Sequence, residues 1–221
     1  MTRPDFSFEI ESGAKLVAGV DEAGRGPLCG PVVAAAVIIP LSSGIPCIPE
    51  TIIIADSKKM TRRQRAIAYE WIMENCNVGV GQCSPTEIDE LNILWASMLA
   101  MRRAIENLAV RPDFVLVDGN RLPDIIVPSV QKGAELYPGL AIVKGDAKSL
   151  SIAAASIIAK ETRDKIMTGL AAQFPQYGWD KNAGYPTAFH LRAIEEHGIN
   201  EHYRKSYGPV KRQKSEGERQ K

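Results

Sequence analysis

Apolar residues recur along the chain in short blocks separated by Gly, Pro and charged turns, and their period changes from block to block. Val17–Val20 is the centre of a first strand, read over 15–22, and Pro31–Ile39 forms a second. Short apolar runs bounded by turn residues fit strands buried on both faces. The Pro/Ser-rich stretch 40–50 reads as a loop, followed by a short strand at Thr51–Ile54. Thr61 and Gln64 have capping-box spacing, which predicts a helix running to about Asn75. Val78-Gly79-Val80-Gly81 continues as a strand.

Ser84-Pro85-Thr86-Glu87 is a second helix start: an N-cap serine, proline at the first position, glutamate three after the cap. Ile88, Leu91, Trp95, Met98, Arg102 and Ile105 then recur at steps of three and four, a core-packing stripe with Arg102 at its edge. Phe114–Val117 is an apolar strand ending at Asp118, and Leu140–Val143 a shorter one ending near Asp146. Residues 147–168 read as a helix rich in small side chains, including Ala153, Ala154, Ala155, Ser156 and Ala159, which let its axis approach a sheet. After Phe174 the chain becomes loop-rich, and Thr187 caps a last helix that stops at Gly198. A leading antiparallel pair, then strands alternating with helices, predicts a mixed α/β sheet.

Composition changes this picture little. The 221 residues suit one domain, or one with a small appendage, and 45% hydrophobic with 24% charged residues is ordinary for a soluble protein. The formal net charge of +1 does not announce nucleic acid, but charge is locally concentrated. Residues 211–221 carry five basic residues against two acids, and 58–65 carry Lys58, Lys59, Arg62, Arg63 and Arg65 without an acid. Such runs neutralise phosphates or simply face solvent. Met1–Ile10 has no apolar signal core, and no uncharged run is long enough to cross a bilayer. Cys29, Cys47, Cys76 and Cys83 form no Cys-x-x-Cys pair and read as reduced thiols of a cytoplasmic protein. His190, His197 and His202 lack metalloprotease spacing and read as structural or surface residues.

The candidate chemistry lies at strand ends. Asp21-Glu22 closes the first strand, before Ala23-Gly24-Arg25-Gly26. Adjacent carboxylates are costly to bury without a partner, and a divalent cation would be one. Alternation points the two side chains apart unless the chain turns at or just after Glu22, which Ala23-Gly24 permits. A strand end with two solvated acids fits these residues equally well. Asp118 and Asp146 also stand at strand ends, although Asp118-Gly119-Asn120 alone suits a turn and Asp146 alone suits a helix cap. If the strands are neighbours, four acids converge on one sheet edge and need cations to offset their repulsion. Oxygen-only ligation favours Mg²⁺ or Mn²⁺ over zinc. Gly24-Arg25-Gly26 is not a dinucleotide loop: the next glycine is Gly30, and a strand follows where a helix is required.

The stretch Asp21-Glu22-Ala23-Gly24-Arg25-Gly26-Pro27, followed by Gly30-Pro31-Val32-Val33-Ala34-Ala35-Ala36, resembles the signature of ribonuclease HII. Further matches stand at Asp56-Ser57-Lys58-Lys59, Val117-Asp118-Gly119-Asn120, Lys144-Gly145-Asp146, Ser151–Asp164 and Gly184-Tyr185-Pro186-Thr187. They occur in the family's order and cover roughly residues 15–208. The resemblance implies a ribonuclease H-like mixed sheet flanked by helices, with a C-terminal helical extension. It divides the chain into a lead-in (1–14), a catalytic domain (15–170), a C-terminal helical segment (171–208) and a basic, mobile tail (209–221). It implies metal ligation by Asp21, Glu22, Asp118 and Asp146, with Mg²⁺ or Mn²⁺ as cofactor. The backbone of Gly24, Arg25 and Gly26 would read a ribose 2′-hydroxyl, the group that separates RNA from DNA. Lys58 and Lys59 would contact substrate phosphates. Tyr185 would meet the nucleotide after the ribonucleotide, whereas alone it suits packing. Lys148 and Thr162 are further candidates, and Asp56 reads as a turn residue.

The implied activity is hydrolysis on the 5′ side of ribonucleotides in RNA–DNA hybrids and in duplex DNA by two-metal catalysis, by a monomer. A non-catalytic duplex-binding module is the alternative on the same fold, disfavoured because no acid is missing. A ribonuclease HIII would carry an added N-terminal domain, for which residues 1–14 leave no room.

Overall fold

The sheet is laid out from one buried strand. After a short helix α1 (Ser7–Glu11), the chain enters β1 (Val17–Ala23), then returns antiparallel as β2 (Val32–Ile38), buried along its whole length. A small ribbon follows, β3 (Leu41–Ser42) with β4 (Ile45–Pro46). Then come α2 (Arg62–Asn75), β5 (Asn77–Cys83), α3 (Pro85–Leu91) and α4 (Ile93–Glu106). The second half holds β6 (Phe114–Asp118), β7 (Gly139–Ile142), α5 (Leu150–Gln173), α6 (Trp179–Asn182) and α7 (Ala188–His197). This computed structural model describes residues 3–42, 45, 46, 48–123 and 137–211. The sheet order is β5-β2-β1-β6-β7, with β5, β2 and β1 antiparallel and β1, β6 and β7 parallel. This is the mixed α/β sheet expected from the sequence.

Both faces of the sheet are covered. Ala18 and Val20 of β1, with Val32, Ala34 and Ala36 of β2, pack against α4. Ala35 and Val37 face α5, which is backed by α2. The alternation follows from the two-residue repeat of a strand. At Gly19 the second interface has no room for a side chain: a Cβ there would lie 2.1 Å from the carbonyl carbon of Ser151 and 2.2 Å from the nitrogen of Ile152. The backbone of α5 therefore rests on the backbone of β1. The helix's small side chains, Ala153, Ala154, Ala155 and Ala159, are fully buried there.

Several boundaries differ from expectation, for tertiary reasons. Thr51–Ile54 is not a strand: β2 already has β1 and β5 as neighbours, so no edge remains beside it, and Ile54 instead anchors a loop into the α5-side core. The helix begun at Ser84 is broken at Asn92, whose φ is +66°, so the apolar stripe belongs to two helices. The Asn92 side chain accepts from the N–H groups of Leu94 and Trp95 and caps the second. The helix expected over 147–168 starts later and runs further. A 3-10 turn spans Gly145–Ala147, and Ser149 is the N-cap of α5. Residues 7–11 form a docked helix. Glu9 is buried and accepts from the hydroxyls of Ser149 and Ser151 at 2.6 Å each. The C-terminal segment shares a core with α5 through Met167, Ala171, Tyr177, Trp179 and Tyr203. The basic tail beyond Lys211 lies outside the described residues.

Gly19→Ala should destabilise the protein by about 3 kcal/mol or more, because neither backbone can yield locally. Gly169, on α5, provides the contrast, since a Cβ there would meet nothing within 4 Å. Gly169→Ala should gain about 0.5–1 kcal/mol from helix propensity. Denaturant melts of both variants check this, and a Gly19→Ala protein as stable as the parent would contradict the contact.

Candidate active site

Three parallel strands end at the same sheet edge, and each delivers an acid to it. The register Val20↔Val117 sets Asp21 beside Asp118 on the neighbouring strand. The register Asp118↔Ile142 sets the exit of β7 beside Asp118, and the chain then turns through Gly145–Ala147, carrying Asp146. Glu22 follows Asp21 while β1 is still paired, and the strand continues to Ala23 before leaving at Gly24, whose φ is +98°. Asp21, Glu22 and Asp118 line one groove of about 420 Å³ together with Gly24, Arg25, Gly26 and Tyr185. Asp146 is buried beside it. Two larger grooves, of about 660 and 490 Å³, run along α5 and the C-terminal segment. Neither collects the strand-end acids, so chemistry and not size selects the site.

The acids are held apart by protein donors. Asp21 accepts from the N–H of Glu22 at 2.7 Å, and Asp118 accepts from the N–H of Gly145 at 2.6 Å. Glu22 Oε1 pairs with Arg25 at 3.1 Å, while Glu22 Oε2 is buried with no hydrogen-bond partner among the described residues. Burial, then the charges of Glu22 and Asp118, pushes the Asp21 carboxyl well above its ordinary 3.8. Burial also raises Glu22, with Arg25 opposing it. Asp146 is raised by burial and by Asp118 and Asp56, against the lysines Lys58 and Lys59.

Around the acids the expected substrate contacts divide. Lys58 lines the groove. Lys59 is exposed and paired with Asp56 at 3.3 Å, outside the groove lining. Asp56 is a turn residue, accepting from the N–H of Lys58 with its side chain and from that of Lys59 with its carbonyl. Lys148 is exposed and off the groove, its carbonyl accepting from the N–H of Asp5; Thr162 is also off the groove. Tyr185 is 49% exposed, and a Cβ on Gly26 would stand 3.3 Å from its ring. Its carbonyl accepts from His190 Nδ1 at 2.9 Å, which leaves Nε2 to accept from Trp179 and Tyr203. Burial lowers the His190 pKa, so this histidine is a neutral structural residue, as its sequence context suggests. Burial also pushes the thiols of Cys29, Cys76 and Cys83 up to about 12. Sequence reasoning missed Ser57, Ser156, Lys160 and Arg163, all of which line the groove. Ser57 and Ser156 share a buried hydrogen bond of 2.7 Å. The small-residue stripe around Ser156 was the available signal.

The donor set suits a hard divalent cation: anionic oxygens only, with Asp21 raised by burial and by the charges of Glu22 and Asp118, and an orphaned buried oxygen on Glu22. Among the described residues, no three His, Cys, Asp or Glu side chains are drawn together into a ready-made cage. Glu22 is instead paired with Arg25, and Asp118 with the backbone of Gly145.

Residues 18–208, which contain the whole of this groove, match the sequence profile of ribonuclease HII. The chain belongs to the ribonuclease HII family. It is therefore a ribonuclease H-type hydrolase. It is 53% identical over 213 residues to ribonuclease HII of Paracoccus denitrificans (strain Pd 1222), covering 95% of this chain and 94% of that one. It is 52% identical over 215 residues to ribonuclease HII of Magnetococcus marinus, covering 94% of each. Among solved structures, ribonuclease H2 from Pyrococcus horikoshii OT3 superposes with a TM-score of 0.69 at 27% identity, covering 91% of this chain and 98% of that one. Bst-RNase HIII, solved in complex with Mn²⁺, has a TM-score of 0.71 at 19% identity, covering 92% of this chain and 70% of that one, and so shares the fold.

The raised Asp21 carboxyl has a consequence for stability. Its contribution is full below the unfolded value of 3.8 and is lost as pH rises through the folded value. In chelator at neutral pH, Asp21→Asn should therefore melt at a higher temperature than the parent, with the gap narrowing as pH is lowered toward 5. Thermal melts across that range check it, and a lower melting temperature at pH 7 would contradict it.

Proposed function

We propose that this ribonuclease HII family member is a divalent-metal-dependent endoribonuclease. It hydrolyses the phosphodiester on the 5′ side of ribonucleotides, both in RNA–DNA hybrids and as single ribonucleotides in duplex DNA, leaving 3′-hydroxyl and 5′-phosphate ends. The observation that carries this reading is that the acids at one sheet edge share a groove with the Gly24-Arg25-Gly26 loop and Tyr185. A cleavage centre and a ribose-reading backbone thus lie side by side.

Asp21, Glu22, Asp118 and Asp146 would hold the cations. When bound, two Mg²⁺ or Mn²⁺ ions supply Lewis acidity at the scissile phosphate and lower the pKa of an attacking water. The chain's own residues do the rest. Lys58 places positive charge at the groove for the phosphate backbone, while Lys160, also in the lining, is paired with Asp164. The N–H groups of Arg25 and Gly26 have no acceptor among the described residues, which leaves them free to donate to a 2′-hydroxyl. Tyr185 presents an exposed ring against Gly26, suited to packing on the sugar or base that follows the ribonucleotide. Cys29, Cys76 and Cys83 are unpaired, which fits the reducing cytoplasm. No helix among the described residues is long and apolar enough to cross a membrane. The same reading has the protein act as a monomer.

The test is cleavage of a DNA duplex containing one ribonucleotide, with the product ends mapped. Added Mg²⁺ should give a single cut 5′ of the ribonucleotide, abolished by chelator and absent from an all-DNA duplex. Cleavage 3′ of the ribonucleotide, or cleavage that survives chelation, would overturn the reading.

A further inference from the structure

The loop after β1 is held from beneath by two buried arginines that no carboxylate among the described residues neutralises. Arg204 is fully buried, in the segment beyond α7. Its Nη2 donates to the carbonyls of Gly24 at 2.6 Å, Gly30 at 2.9 Å and Pro31 at 3.2 Å. Its Nη1 donates to the carbonyl of Arg25 and to Tyr207 Oη, each at 3.1 Å, and its Nε to Gly30 at 3.0 Å. Tyr207 Oη in turn donates to the Arg25 carbonyl at 2.7 Å. Arg163, on α5, donates to the carbonyls of Pro31 and Cys29 at 3.1 Å and of Ala183 at 3.0 Å. A Cβ on Gly24 would fall 2.1 Å from Arg163 Nε, so the loop sits directly on that guanidinium. No ion pair among the described residues includes either arginine.

A buried charge without a counter-ion is an expensive way to fill space, and apolar side chains would pack the same volume at lower cost. What a guanidinium adds is a rigid planar fork of donors that fixes several carbonyls at once. Peptide planarity makes that fixation directional. In a trans peptide the C=O of one residue and the N–H of the next point opposite ways, and no cis peptide is present among the described residues. Pulling the Gly24 and Arg25 carbonyls inward onto Arg204 therefore turns the N–H groups of Arg25 and Gly26 outward. Neither of these amides has an acceptor among the described residues, and both residues line the groove beside the acids.

We propose that Arg204 is a positioning residue for ribonucleotide selection: by fixing the carbonyls of Gly24 and Arg25, it aims the N–H groups of Arg25 and Gly26 at the 2′-hydroxyl oxygen. The inference rests on the reading of this loop as the ribose reader. Arg204 never touches substrate; it acts through the two peptide planes above it. Tyr207 braces the same carbonyl of Arg25 and belongs to the same device.

The test is binding preference, which a merely structural role would not move. Fluorescence anisotropy in Ca²⁺, which takes similar oxygen ligands in looser geometry, compares two DNA duplexes of one sequence, with and without a single ribonucleotide. Gel analysis verifies that the duplexes stay intact. The parent should prefer the ribonucleotide duplex by about tenfold. Arg204→Lys replaces the fork with a compact ammonium that cannot span the carbonyls. It should reduce the preference below about twofold while leaving affinity for the all-DNA duplex unchanged. Tyr207→Phe keeps the guanidinium and removes one brace, and should reduce the preference about threefold. If Arg204→Lys does not fold by circular dichroism, Tyr207→Phe decides. A parent preference retained by the folded variants overturns the proposal. So does an equal loss of affinity for both duplexes, which would make Arg204 a general scaffold residue. A parent with no preference instead overturns the ribose-reading loop itself, and the proposal with it.

Discussion

The contact on which the rest of this molecule depends is backbone on backbone, where α5 crosses β1 at Gly19. It fixes the position of a 24-residue helix against the strand that ends in Asp21 and Glu22. The consequences run in both directions along that helix. Toward its N-terminus lie Ser149, Ser151 and the turn that presents Asp146. About 16 Å further along from Ile152, at 1.5 Å per residue, Arg163 reaches the loop that follows β1. Beyond that, Met167 and Ala171 enter the core of the C-terminal segment. One close approach thus aligns the acids, the loop above them and the segment carrying Tyr185 and Arg204.

The site that results is costly to its own fold. Burial and neighbouring carboxylates raise Asp21 and Glu22, and Glu22 leaves an oxygen without a partner among the described residues. Two arginines are buried on carbonyls instead of on acids. The compensations lie elsewhere in the molecule. Both sheet faces are closed by helices, two helices carry complete capping boxes, and Glu9 closes the N-terminus of α5 through Ser149 and Ser151. A carboxylate there is also favoured by the helix dipole. Strain concentrated at the reacting edge and order everywhere else is the distribution expected where function opposes stability.

What was legible in the sequence was local or strictly periodic. The apolar runs gave the strands, Thr61–Gln64 and Ser84–Glu87 gave the helix starts, and the acids at strand ends gave the candidate centre. What was not legible depends on contacts made across the whole chain. Arg204 bonds a carbonyl 180 residues away, so no spacing rule exposes it. The break at Asn92 needs a positive φ that a continuous apolar stripe conceals. Thr51–Ile54 has strand composition but forms no strand: it follows β2, whose two sides are already taken by β1 and β5. Lys58 and Lys59 are neighbours in sequence, yet only Lys58 lines the groove, because the Asp56 turn draws Lys59 into an ion pair.

The central claim is that the acids at this sheet edge act together as the seat of divalent cations. It is tested most directly by titrating Mn²⁺ into the protein and following the free ion by electron paramagnetic resonance. The parent should take up Mn²⁺ saturably. Asp118→Asn, which keeps the side chain's shape and removes its charge, should bind at least about tenfold more weakly while melting as a folded protein. Equal uptake by the two proteins would contradict the account.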